Sequence, residues 1–142
     1  MQRLVSALSL AVAAALPALA FAEPGCVEVE VRNVQPGRGS LMVAAYVDEA
    51  GFAARSAVVS VQVRAGDAPT QRLTVCGVGS ASLALMAFQD LNGNGRLDTN
   101  PFGIPSEPWG ASGTPAAMQA PTWQQTNVAV GAGTPVVVKL SS

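Results

Sequence analysis

Short segments in which apolar and polar residues alternate recur along most of this chain. Over residues 26–33, three valines occupy one side of the pattern, and Glu28, Glu30 and Arg32 occupy the other. Residues 57–64 alternate in the same way, again through valines. A period of two residues indicates a β-strand with one buried face. The chain is therefore expected to fold from strands.

Turn signals separate these segments at intervals of about 8–12 residues, which is typical of a β-sandwich. Residues 49–56 are expected to form a loop or one helical turn between two of them. No segment after residue 22 shows a long 3.6-residue period. We predict an all-β fold, an antiparallel β-sandwich of about seven strands with one long ordered loop. The predicted strands cover residues 26–33, 40–48, 57–64, 70–76, 80–89, 123–130 and 134–140.

Residues 1–22 have the composition of a secretory signal peptide. Arg3 supplies a positive start, an apolar stretch follows, and the segment ends in Ala-Phe-Ala, a typical cleavage site. A membrane-spanning helix needs about 20 apolar residues, and Pro17 interrupts this stretch, so an uncleaved anchor is the weaker interpretation. We therefore expect an exported chain, periplasmic or extracellular, with a single domain over residues 23–142 that is not embedded in the membrane.

The expected compartment predicts the oxidation state of the two cysteines. In an oxidising environment an even pair of cysteines usually forms a disulfide, so Cys26 and Cys76 are predicted to be bonded. Two buried free thiols are the alternative. The sequence contains no C-x-x-C motif, which argues against redox catalysis.

The composition excludes several classes of function. The chain has no histidine, so a Ser-His-Asp triad, a His-ligated zinc site and a His-ligated haem are all ruled out. Eight basic residues against nine acidic ones give no basic face for nucleic acid. No G-x-S-x-G motif marks an esterase nucleophile.

Residues 90–121 show little strand or helix pattern, and a loop this long is usually functional or disordered. We expect an ordered loop that packs on the sandwich. It opens with D-L-N-G-N-G-R-L-D, which fits the first nine positions of a calcium-binding loop. Ca²⁺ takes 6–8 oxygen ligands. The candidate ligands are the side chains of Asp90, Asn92, Asn94 and Asp98 and the carbonyl of Arg96.

The match to a calcium loop is incomplete. Its twelfth position, where such loops carry a bidentate Glu, is Pro101, and Glu107 could swing back to supply the missing carboxylate. Few carboxylates predict weak binding, with a Kd of roughly 10⁻⁴–10⁻³ M. The alternative is an Asn-Gly hairpin closed by Asx-turns without any ion. Calcium is the preferred interpretation of the two.

The run from Phe88 to Glu107 resembles the signature of a bacterial secreted family known as domain of unknown function 2141. The resemblance extends over about residues 26–140. It implies a small periplasmic or extracellular β-sandwich, immunoglobulin-like or transthyretin-like, with no established activity. The family usually has His before the loop's first Asp, where this chain has Gln89, and a Tyr-containing run near the position of Trp109.

Three hypotheses for the function follow. The first is a non-enzymatic domain of the cell envelope with a calcium-stabilised loop. The second is a module that binds a glycan or an envelope protein through residues 99–121 and Trp109, although core packing of this tryptophan is the simpler expectation. The third is a hydrolase that uses Asp98 and Glu107 as a carboxylate pair. We favour the first.

Overall fold

Two β-sheets packed face to face make up residues 25–141, the part of the chain that this computed structural model describes. The predicted signal peptide over residues 1–22 lies outside these residues. The elements in chain order are β1 (Cys26–Arg32), β2 (Ser40–Tyr46), α1 (Glu49–Ala53), β3 (Val59–Arg64), β4 (Thr70–Cys76), β5 (Ser82–Asp90), β6 (Trp109–Ala111), α2 (Trp123–Thr126), β7 (Val128–Ala129) and β8 (Val136–Lys139).

One sheet has three strands in the order β4-β1-β8, and the other has the order β3-β2-β5-β6, with β7 also pairing with β5. The predicted all-β sandwich is confirmed. One pair differs from the antiparallel expectation, because β1 and β8 run parallel, with Val29 opposite Val136. The chain crosses from β7 in one sheet to β8 in the other, so no hairpin dictates the direction of β8. Within residues 25–141 no helix is long and apolar enough to cross a membrane.

The core lies between the two sheets and is built by the alternation seen in the sequence. Inward-facing side chains of β1, β2, β5 and β8 have almost no solvent exposure, and each buried aliphatic side chain of this size stabilises the fold by roughly 1.5–3 kcal/mol. The best-buried members are Val29, Val31, Leu41, Val43, Leu83, Leu85 and Val138.

The predicted disulfide is present. Cys26 and Cys76 face each other in the β1–β4 register and are bonded, and the bridge closes a sequence separation of 50 residues. It ties together one end of the three-stranded sheet.

Two predictions between residues 90 and 130 need correction. Trp123–Thr126 forms the short helix α2 rather than a strand, and only Val128–Ala129 pairs with β5. The side-chain oxygen of Gln125 accepts a hydrogen bond from the backbone N–H of Thr122, which satisfies a donor at the start of this helical turn. The long loop is also interrupted, because β6 pairs with β5 through Trp109 and Phe88. Of the two forms expected for residues 49–56, a loop or one helical turn, the structure has the helical turn, as α1.

Candidate functional site

The candidate calcium loop begins where β5 ends, and Asp90 fixes the exit point. Asp90 lies opposite Ser40 in the β2–β5 register. Gly39, with φ of 62°, packs directly against it, because a Cβ at this position would lie 2.0 Å from the carbonyl oxygen of Asp90. Only glycine permits this approach. The start of β2 therefore holds the base of the loop in place.

The carboxylate of Asp90 organises the first half of the loop. It is 1% exposed. Its Oδ1 accepts a hydrogen bond from the backbone N–H of Gly93 at 2.8 Å, and its Oδ2 accepts one from Gly95 at 2.8 Å. Both glycines have positive φ. The chain therefore curls around this carboxylate in the way that the D-x-N-x-N-G pattern predicts.

The amides of Asn92 and Asn94 converge on Asp98. Asn94 Nδ2 donates to both carboxylate oxygens of Asp98, at 2.8 and 2.9 Å, and Asn92 Nδ2 donates to Oδ2. The two amide oxygens face the other way and accept from the backbone N–H groups of Asn94 and Arg96, at 3.2 and 3.1 Å. The hydrogen bonds from Asn94 and Asn92 lower the pKa of Asp98, so this carboxyl is ionised at neutral pH.

Glu107 returns to the same loop, as its sequence position allowed. Its side chain is buried, with Oε1 accepting from the N–H of Leu91 at 2.9 Å and Oε2 accepting from the N–H of Asp98 at 3.1 Å. A carboxylate that bonds to two backbone donors 7 residues apart ties the two ends of the loop together. Glu107 is therefore part of the loop structure.

These contacts can be compared with what calcium requires. The carboxylates of Asp90, Asp98 and Glu107 all lie at one loop, and carboxylate oxygen is the type of ligand that calcium prefers. The nitrogens of Asn92 and Asn94, rather than their oxygens, face Asp98, so both amides would have to turn to act as ligands. Within residues 25–141, no three acidic, cysteine or histidine side chains form a ready metal cluster. The loop is therefore closed by its own Asx-type hydrogen bonds, and its carboxylate and amide oxygens are of the kind that could bind calcium.

The same contacts bear on the hydrolase hypothesis. Both oxygens of Asp98 accept from asparagine amides, and both oxygens of Glu107 accept from backbone N–H groups. A general acid or base needs a carboxyl group that can reach a substrate proton. The arrangement argues against Asp98 and Glu107 as a hydrolytic pair.

Trp109 lies beside a groove at the edge where the two sheets meet. Its backbone N–H donates to the carbonyl of Ser141 at 3.0 Å, and its carbonyl accepts from Ser141 at 2.8 Å, so β6 bridges to the segment that follows β8. The side chain is half-buried. The groove has a volume of about 1040 Å³ and is also lined by Arg32, Asn33, Met118, Val137 and Lys139. Trp109 is therefore partly exposed beside a groove.

Gln89 is a buried polar residue whose role the sequence did not indicate. Its Oε1 accepts from the N–H of Gln35 at 2.9 Å, and its Nε2 donates to the carbonyls of Gln35 and Arg38, at 2.8 and 2.6 Å. It has no solvent exposure. The amide thus cross-links the end of β5 to the turn between β1 and β2, next to the loop. Gln89 is the position at which the sequence departs from the His usual in the family it resembles.

The fold and loop define a two-sheet β-sandwich with a hydrogen-bonded Asn-Gly loop at one end. A family model described as an uncharacterized protein conserved in bacteria (DUF2141) matches residues 29–138. The chain belongs to this family, which confirms the resemblance seen in the sequence. Searches of curated proteins and of solved structures gave no match.

Proposed function

We propose that the protein is an exported, non-enzymatic domain of the bacterial cell envelope, periplasmic or extracellular, whose Asp90–Asp98 loop binds Ca²⁺ weakly. The ion would hold the loop against the sandwich. The observation that carries the proposal is the return of Glu107, a carboxylate from outside the nine-residue motif, to both ends of that loop. It brings a third carboxylate to the ends of a loop that otherwise has two, and the three would have to converge to share one ion.

Export is supported by two features that agree with each other. Residues 1–22 have the composition of a signal peptide. The Cys26–Cys76 disulfide suits a compartment where disulfides persist.

The chain's own hydrogen bonds set the expected affinity. Asp90 is already anchored by Gly93 and Gly95, so it can offer its remaining lone pairs without reorganisation. Asn92 and Asn94 would have to give up their bonds to Asp98 to present oxygen. This competition weakens binding, in line with a Kd of roughly 10⁻⁴–10⁻³ M for extracellular calcium modules.

Thermal melting of the purified protein with and without calcium tests this proposal. With a Kd of about 1 mM, about 10 mM Ca²⁺ stabilises the folded state by about 1.4 kcal/mol. Asp98→Asn should abolish the shift. Glu28→Gln removes one exposed carboxylate in the half of β1 that is farther from the loop, and this variant should keep the calcium-dependent shift. Magnesium at equal concentration controls for ionic strength, because Mg²⁺ dehydrates reluctantly and prefers rigid octahedral sites.

Two results would count against calcium binding by this loop. One is the absence of any shift in Tm that exceeds the magnesium control. The other is an undiminished shift in Asp98→Asn, which would place the ion elsewhere.

A second function, binding of a glycan or an envelope protein through residues 99–121 and Trp109, is favoured by the groove beside Trp109. Tryptophan supplies a flat apolar surface with one polar handle. In the Trp123→Phe variant, Trp109 becomes the single source of tryptophan emission among the described residues. Saturable quenching or a spectral shift on titration with envelope polysaccharide would support the role. Unchanged emission across the titration would argue against it.

A further inference from the structure

A second, smaller groove lies on the outer face of the five-stranded sheet. We call it the sheet groove. Its volume is about 410 Å³, and its apolar lining comes from β2, β5 and the candidate calcium loop, namely Met42, Ala44, Met86, Phe88 and Leu97. Small-molecule sites are typically apolar clefts of roughly 300–1,000 Å³. The size and lining of the sheet groove fall in this class.

The strand register shows that this apolar surface is continuous. Met42 lies opposite Phe88, and Ala44 lies opposite Met86, so all four side chains share one face. The next strand, β3, places Gln62 opposite Met42, which is the polar composition expected of a solvated sheet face. The change from polar to apolar along one register row marks the edge of the groove.

Arg55 supplies a fixed positive charge at the rim of the sheet groove. It has a left-handed backbone, with φ of 57°, just after α1. Its guanidinium lies 5.4 Å from the ring centre of Phe52, and its Nη1 contacts the sulfur of Met86. Among residues 25–141 it makes no salt bridge, and the lining of the groove includes no carboxylate. Most of the donors of this guanidinium are therefore free for a ligand.

We propose that the sheet groove binds a medium-chain fatty acid, with the alkyl chain along Met42, Met86 and Phe88 and the carboxylate at Arg55. An alkyl chain matches the lining because burial of each CH₂ contributes about 0.8 kcal/mol. A carboxylate matches Arg55 because guanidinium binds this group through paired, charge-assisted hydrogen bonds.

The candidate calcium loop forms one wall of this site. Gly95 and Leu97 both line the groove. Leu97 is half-buried against the outer face of the sheet. The loop thus shapes the groove in its hydrogen-bonded form, and fatty-acid binding does not require the ion.

Calorimetric titration of the full protein with three ten-carbon probes, in the presence of EDTA, tests the assignment. The probes are decanoate, decanol and decyltrimethylammonium, each below its micelle concentration. Decanoate should bind saturably, and the cationic probe should bind at least about tenfold more weakly, since a lost charge pair of about 1.4 kcal/mol corresponds to that factor. Decanol should fall between them. EDTA keeps the outcome independent of calcium binding.

Three variants locate the site. Arg55→Gln should weaken decanoate at least about tenfold but leave decanol nearly unchanged. Ala44→Phe should fill the groove and abolish binding of both probes. Arg64→Gln, which removes an exposed charge at the end of β3, is the matched control and should bind decanoate like the unmodified protein. Equal melting temperatures show that each variant is folded.

Several outcomes would overturn the proposal. Equal affinity for decanoate and decyltrimethylammonium would remove the role of Arg55. Unchanged decanoate binding in Ala44→Phe would place the ligand elsewhere, for example in the groove beside Trp109. The absence of saturable decanoate binding to the unmodified protein would exclude a fatty-acid site.

Discussion

The outer faces of the two sheets differ in how far their charged and apolar side chains find partners within the protein. On the three-stranded sheet, Glu30 lies between two arginines, with Arg32 Nε at 2.7 Å and Arg72 Nη2 at 2.8 Å from its carboxylate oxygens. On the five-stranded sheet, half-buried apolar side chains surround a groove, and Arg55 at its rim has no carboxylate partner among the described residues.

This difference separates a surface that maintains the fold from one that is open to a ligand. Charged groups that pair with one another on the face of a sheet, as Glu30 does with Arg32 and Arg72, need no external partner. An apolar patch with Arg55 at its rim can still offer a ligand both apolar contact and a charge pair. We therefore expect ligand binding on the five-stranded sheet, whereas the three-stranded sheet contributes mainly to stability. Four experiments test this contrast.

The largest effect is expected from the disulfide in the three-stranded sheet. Replacement of Cys26 and Cys76 by serine should lower the free energy of unfolding by roughly 4 kcal/mol, because the bridge closes a 50-residue loop in the unfolded chain. Urea denaturation measures the loss. Decanoate affinity of the folded variant should not change. A loss of affinity along with stability would show that the two sheets are not separable in this way.

The next effect contrasts neighbouring residues on opposite faces of β2. Leu41 has no solvent exposure in the core, so Leu41→Ala should cost about 2–5 kcal/mol of unfolding free energy. Met42 is half-buried on the outer face, so Met42→Ala should cost less than about 1.5 kcal/mol. Chemical denaturation compares the two. Similar costs would mean that the outer face packs like core and is not an open surface.

A smaller, local effect is expected at the loop that borders the sheet groove. Glu107→Ala leaves the partly buried N–H groups of Leu91 and Asp98 without their acceptor, at a cost near the lower end of about 1–3 kcal/mol. Amide hydrogen exchange at these two positions should accelerate. In Glu107→Gln, which keeps one acceptor oxygen, the exchange rates should lie between those of Glu107→Ala and those of the unmodified protein. Unchanged exchange in Glu107→Ala would show that the loop holds itself without this carboxylate.

The smallest effect is the pH dependence of the paired face. Hydrogen bonds from Arg32 and then Arg72 lower the pKa of Glu30 in the folded state. Glu30 therefore stabilises the fold above its ordinary pKa of 4.5, and this contribution is lost as the pH falls through the lower folded value. The difference in Tm between the protein and Glu30→Gln should be largest near pH 7 and shrink below about pH 4. A constant difference would contradict this linkage.

Most strands could be predicted from the sequence because their pattern is local. The strongly alternating segments that became β1, β3 and β4 were found almost to the residue. Of the predicted strand Trp123–Val130, only Val128–Ala129 is a strand. Trp123–Thr126 is helical, because the hydrogen bond between Gln125 and Thr122 starts a turn that hydropathy does not reveal. β6 has only three residues and no room for alternation. Its pairing with β5 depends on tertiary contacts.

The site shows the same division between local and distant information. The curl around Asp90 fits the spacing of Asn and Gly. Glu107 contacts both ends of the loop through backbone N–H groups, and its expected role as a calcium ligand stays a prediction. The orientation of the Asn92 and Asn94 amides could not be predicted, since it depends on which neighbours donate. The sheet groove was also missed, because Met42, Phe88 and Arg55 are far apart in sequence and meet only through strand register.

The register of β1 also determines how this domain would be oriented when attached to a support. Gly25 is at one end of β1. At the other end, Gln89 bonds to Gln35, so the Asp90–Asp98 loop lies about 20 Å from Gly25, at 3.3 Å per strand residue. A sensor chip coupled ahead of Gly25 would therefore present the loop to the analyte. Ser141, which bridges to Trp109, lies at the same end as the loop, so coupling near Ser141 would turn the loop toward the chip.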